Sequence, residues 1–95
     1  MFRSPKLLRA ARDQPCVLCG SIGTTVAAHI RMVALGSGTG IKCPDTLCAW
    51  LCQGCHDRLD NRVPGWSPEE RKDRMFLALA KTIVQLFEQG IVVVK

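Results

Sequence analysis

Two C-x-x-C pairs, Cys16/Cys19 and Cys52/Cys55, fall within a chain of only 95 residues. Each pair makes a tight turn that aims two sulfurs at one point, and two such turns complete a tetrahedron around Zn²⁺. A chain of this length is one domain, with no room for two cores or for a cofactor fold of Rossmann or barrel size. Its core will be thin, and a structural metal answers that problem because ligation supplies folding free energy. The second pair is expected to open a helix, whose N-terminal amides favour thiolate over thiol. Cys43 and Cys48 lie outside the pattern and read as small buried apolar residues, with substitution into a different ligand set as the alternative.

Disulfides are the competing use for six cysteines. Arg9 and Arg12 interrupt the start of the chain, and Asp13, Gln14 and Pro15 close it, so no export signal is visible. Lys81 cuts the longest apolar candidate, residues 76–87, well short of the roughly 18 residues a membrane span needs. A cytoplasmic location follows as the expectation, with no membrane partner, and reducing conditions there favour ligands over bridges. Hydrophobic residues at 47% and charged residues at 22% exclude a disordered tail. The formal charge of +5 stays positive even after four thiolates bind one divalent ion. A modest positive field suits a polyanion such as nucleic acid. Arg3, Lys6, Arg9 and Arg12, with no acid among them, form a basic N-terminal arm over residues 1–15 that either grips phosphates or is a solvated face.

The pattern along the chain predicts an α+β domain. Ser4 and Pro5 open a short helix that Pro15 ends. Residues 24–33 are β-prone, Gly36, Gly38 and Gly40 punctuate a loop running to Pro44 and Asp45, and residues 46–51 form a second strand. That loop lacks the ending of a Walker phosphate loop. Residues 55–62 read as a short helix. The long helix is marked by Ser67 as N-cap, Pro68 at the first position, Glu70 completing a capping box, and Gly90 as the stop. Met75, Phe76, Leu79, Ala80, Ile83, Leu86 and Phe87 define its expected core face, and residues 91–94 a terminal strand.

Cys52-x-x-Cys55-His56 also matches a c-type haem attachment motif, but that reading needs export and leaves Cys16 and Cys19 idle. Redox use of C-x-x-C needs a βαβ context that is missing. The only two histidines are His29 and His56. Singly, each reads as a satisfied core or surface side chain. Together, a strand histidine, a Gly-rich loop and a C-x-x-C-H that opens a helix resemble the HNH, or His-Me finger, nucleases. The run Ala28-His29-Ile30-Arg31, the loop over residues 36–42, Pro44-Asp45, and Cys55-His56-Asp57 with Asp60 and Arg62 resemble the small prophage-borne nucleases of the YbcO type.

The resemblance implies a single HNH-like nuclease domain over residues 1–95. Within it, residues 16–62 make a zinc-stapled, treble-clef-like ββα-metal core and residues 67–90 the C-terminal helix. It implies catalysis by His29 as general base and His56 as a ligand of the catalytic metal, Mg²⁺ or Mn²⁺. Asp45 falls near the position of the central HNH asparagine. Many HNH motifs carry Asp or His before the base, where this chain has Ala28. Asp60, four residues after His56 and on the same helix face, is therefore the expected second ligand. Asp57 reads as a first-turn carboxylate favoured by the helix dipole. Structural zinc on Cys16, Cys19, Cys52 and Cys55 is scaffold only, and Arg31, Lys42, Arg58 and Arg62 are expected to hold the DNA backbone. The implied activity is one-metal phosphodiester hydrolysis on DNA, branched DNA for a phage-encoded member, in recombination or DNA processing. A homodimer is one way for so small a chain to hold two strands. The rival reading is a non-catalytic zinc knuckle that binds nucleic acid or a protein partner.

Overall fold

The structure is a computed structural model, and it describes residues 1–31, 34, 38 and 40–95. Ser4 caps α1 (Pro5–Arg9) with its hydroxyl on the Leu7 amide. The chain then crosses the Cys16/Cys19 turn into β1 (Val26–His29), which pairs antiparallel with β2 (Cys48–Leu51), Val26 opposite Leu51 and His29 opposite Cys48. Both strands are shorter than expected. Ile30 leaves the pairing and bonds the Leu47 carbonyl instead, while Leu47 closes a turn onto Pro44. Met32 and Val33, at the far end of the expected strand, lie outside the described residues, as does Gly36 of the loop.

β2 runs directly into α2 (Gln53–Leu59), which starts two residues earlier than the sequence predicts because Cys52 itself is the N-cap, its sulfur accepting from the Cys55 amide at 3.4 Å. Asn61, in the left-handed region at φ 57°, carries the chain out of this helix. In α3 (Pro68–Glu88) the capping box is formed as read, with Ser67 and Glu70 bonded reciprocally at 3.0 and 3.1 Å. α1 is shorter than the arm predicts, ending before Pro15 is reached. No helix is long and apolar enough to cross a membrane among the described residues.

The expected core face of α3 is corrected. Its fully buried residues are Ala78 and Thr82; of the expected face, Met75, Leu79 and Leu86 are half-buried, Leu79 packing against the core, whereas Phe76, Ala80, Ile83 and Phe87 are exposed. Close approach of a helix to β2 leaves space for small side chains at the contact, so Ala78 and Thr82 take it, Leu79 packs beside it, and Phe76, Ile83 and Phe87 face outward. Thr82 adds a polar reason: its hydroxyl accepts from the Trp50 amide at 3.0 Å and donates to the Ala78 carbonyl at 2.8 Å. The Trp50 carbonyl accepts from Val17 at 3.0 Å, so the outer edge of β2 is closed on both groups. The expected strand over residues 91–94 is absent. With Gly90 at φ 72°, Ile91 and Val92 both bond back to the Leu86 carbonyl, and the chain folds onto the helix end instead of reaching the sheet.

The core is thin and consists mainly of Cys16, Cys52, Cys55, Ala28, Ala49, Leu51 and Ala78. No disulfide joins any cysteine. Because the Trp50 amide is buried under α3, Thr82→Val should leave it without a partner and lower stability by about 1–3 kcal/mol. Thr82→Ser should retain most of it, and equal denaturation midpoints for the Val variant and the parent would contradict this role.

Candidate metal-nucleic acid site

The four sulfurs of Cys16, Cys19, Cys52 and Cys55 lie within 4.8 Å of one another. A tetrahedral ion with ligands at ~2.3 Å spaces its sulfurs by a little under 4 Å, so the cluster can hold a structural metal such as zinc. Hydrogen bonds involving the Ser21 hydroxyl and then its amide hold the Cys19 thiol down at about 6. Burial works against ionising Cys52, but contacts with Ser21 and the Cys55 amide lower its pKa overall. Cys43 is fully buried, and burial, reinforced by the Asp45 charge, pushes the Cys48 thiol up to about 12, so Cys48 stays protonated.

The cluster ties the turn before β1 to the junction of β2 and α2, and this fixes where the two histidines emerge. In β1 the alternation of the strand sends Ala28 into the core and His29 to the other face. His29 and His56 line one hollow of about 420 Å³, shared with Arg31, Lys42, Asp60 and Arg62. A second hollow of about 590 Å³, also lined by His29, Arg31, Asp60 and Arg62, extends it toward Arg71 and Lys72 of α3. The combined groove is basic. Arg58 is outside it, on another face of α2, where its side chain packs over Gly65.

One carboxylate, Asp60, lines the hollow, and a second, Asp45, backs it through His29. His56 Nε2 and Asp60 Oδ2 are 3.3 Å apart, with both side chains largely shielded from solvent. Arg62 and Arg31 approach the same carboxylate at 3.5 and 3.8 Å. Asp57 turns away and accepts from Gln53 at 2.8 Å. Among the described residues the four cysteines are the only group of three or more metal-ligating side chains.

Asp45 is 4% exposed and joins three partners beside the site. Its Oδ1 is 2.8 Å from His29 Nε2 and accepts from Arg3 Nη1 at 3.2 Å, while Oδ2 accepts from the Ser4 amide at 2.6 Å. Arg3 also donates to the carbonyls of Cys43 and Lys42, at 2.6 and 2.9 Å. Arg3, read from sequence as part of an outward basic arm, is instead folded inward as a clamp on the 42–45 segment. No local sequence signal marks that role, since its partners lie some forty residues away.

Burial alone would raise the Asp45 carboxyl, but the hydrogen bonds with His29, Ser4 and Arg3 outweigh it and hold the pKa at about 2, below the ordinary 3.8. The carboxylate's contribution to stability is therefore fully present above about 3.8 and is lost as pH falls from there through about 2. Asp45→Asn should lower the melting temperature near neutral pH, by an amount equivalent to about 1–3 kcal/mol, and flatten the acid decline across that window. A variant that melts like the parent near neutrality and shows the same acid decline would contradict the clamp.

A family model described as "Putative nuclease YbcO" matches residues 5–91. Two relatives, "Putative nuclease YbcO" of Escherichia coli (strain K12) and "Putative nuclease ybcO" of Enterobacteria phage 82, are each 34% identical over 92 residues, spanning 90% of this chain and 95% of theirs. A solved structure, that of a putative bacteriophage protein from Escherichia coli K-12, superposes with a TM-score of 0.69 at 28% identity, covering 88% of this chain and 99% of the other. With the match extending from the first helix to the end of the last, the chain belongs to the YbcO putative nuclease family.

Proposed function

We propose that this chain is an HNH-type DNA endonuclease, with a ββα-metal site formed by β1, β2 and α2, that hydrolyses phosphodiester bonds by a one-metal mechanism. The observation that carries this reading is the hollow that His29 and His56 share, walled by cationic side chains and supported by two carboxylates. Hydrolysis needs a base for water, charge stabilisation on the phosphoryl oxygens and help for the departing sugar oxygen.

His29 is the base. Its hydrogen bond to the ionised Asp45 assigns the ring proton to Nε2, which leaves the Nδ1 lone pair to take a proton from water. Asp45, itself held by Arg3 and Ser4, fixes the tautomer and the ring orientation. His56 and Asp60 would hold Mg²⁺ or Mn²⁺, whose positive charge stabilises the phosphoryl and leaving oxygens. Their facing atoms, 3.3 Å apart, have the separation of two neighbouring ligands on one small cation. The buried Ala28 adds no ligand. Arg31, Lys42 and Arg62 grip the backbone at the hollow, and Arg58 contacts DNA beyond it. Zinc on the four cysteines serves as scaffold. On this reading the substrate is DNA, a branched recombination or processing intermediate for a phage-encoded member; one relative, named a putative nuclease, comes from a phage.

The test is cleavage of supercoiled, linear, single-stranded and branched DNA with Mg²⁺ or Mn²⁺, beside a His29→Ala variant. The parent should cut, and the variant should lose about 10²–10⁴-fold in rate. Cleavage that survives the substitution would reject His29 as base. Binding without cutting on every substrate would favour a non-catalytic zinc module.

A further inference from the structure

α3 contributes Pro68, Arg71, Lys72 and Met75 to the wall of the second hollow. Three- and four-residue steps separate these positions, so one stripe along the start of the helix faces the groove, with two cations at its centre. The acids of the same turns are kept off it. Glu69, Glu70 and Asp73 are all exposed and none lines the hollow, and Glu70 is engaged by Ser67 and Arg74. Asp60, the one carboxylate among the described residues that line it, is already approached by Arg31 and Arg62. Among the described residues neither Arg71 nor Lys72 has an ion-pair partner, and Arg71 Nε is shielded from solvent without a hydrogen-bond acceptor. Shielded donors are ordinarily paired, so an unpaired guanidinium nitrogen on the wall of a cationic groove marks a place for an anionic acceptor.

We propose that Arg71 and Lys72 form a second phosphate subsite, which holds a backbone phosphate flanking the phosphodiester bound between His29 and His56. This rests on the endonuclease reading above and adds α3 to the surface that holds the strand. The two hollows share His29, Arg31, Asp60 and Arg62, so a strand lying in the first is led directly into the second. A guanidinium offers a planar fork of donors to phosphate oxygens, and the neighbouring ammonium adds a compact charge, a pairing suited to an anion with equivalent oxygens. Phosphate contacts position a strand and carry no base information. The subsite therefore sets how the backbone lies across His29, not which sequence is bound.

The test is fluorescence anisotropy with a labelled DNA duplex of about 20 base pairs, titrated with the chain at salt from about 50 to 200 mM. No Mg²⁺ or Mn²⁺ is added, so the result does not depend on cutting. Arg71→Gln and Lys72→Gln should each weaken binding about threefold or more at the lowest salt and reduce the slope of log affinity against log salt by about one. Arg71→Lys keeps the charge and should keep the parent slope. Lys81→Gln removes the same charge from an exposed position of α3 that lines a different recess, and should also leave the slope unchanged. Lys72 is exposed, so its variant reads the subsite even where Arg71→Gln disturbs folding. Parent-like slopes in both glutamine variants would overturn the subsite while leaving the endonuclease reading intact, whereas a parent that binds no DNA would overturn both. Equal losses in Lys81→Gln would reduce the effect to net charge and overturn the subsite as well.

Discussion

The convergence of four sulfurs on one point is the constraint from which the rest of the molecule follows. Cys16 and Cys19 end the N-terminal segment, and Cys52 and Cys55 occupy the join between β2 and α2, with Cys52 serving as the helix N-cap. Joining those turns fixes the sheet against the helix. The apolar core around them is made largely of Cys and Ala, side chains too small to define such an arrangement by burial alone. A metal held by the four cysteines would supply what the core lacks.

A second junction lies at the opposite end of the strands. Asp45 receives His29 from β1, the Ser4 amide and Arg3 from the N-terminal segment, and so connects three stretches of chain at a single buried carboxylate. The two junctions divide the work: the sulfurs determine where β1 and α2 lie, and Asp45 determines how the His29 ring is turned once it is there. A basic groove is left between them, open toward α3.

Features written in local spacing were legible in the sequence. The C-x-x-C pairs, the Ser67–Glu70 capping box and the Gly90 stop each depend on residues within a few positions of one another, and each appears where it was read. Features that depend on what packs opposite were not. The apolar periodicity of α3 is real, yet only part of it turns inward: Leu79 packs on the core beside Ala78 and the hydrogen-bonding Thr82, while Phe76, Ile83 and Phe87 are exposed. The inward clamp by Arg3 and the loss of a strand after Gly90 are likewise decided by partners distant in sequence or by a carbonyl already waiting at the helix end. For the site, sequence named the histidines and Asp60 but left Asp45 as a positional match, without its contact to His29.

The most direct measurement is zinc-edge X-ray absorption on the purified chain together with its metal content. One zinc per chain with four sulfur neighbours at about 2.3 Å is the expected result. Chain that carries no zinc, or zinc whose nearest atoms are mainly nitrogen and oxygen, would contradict the account.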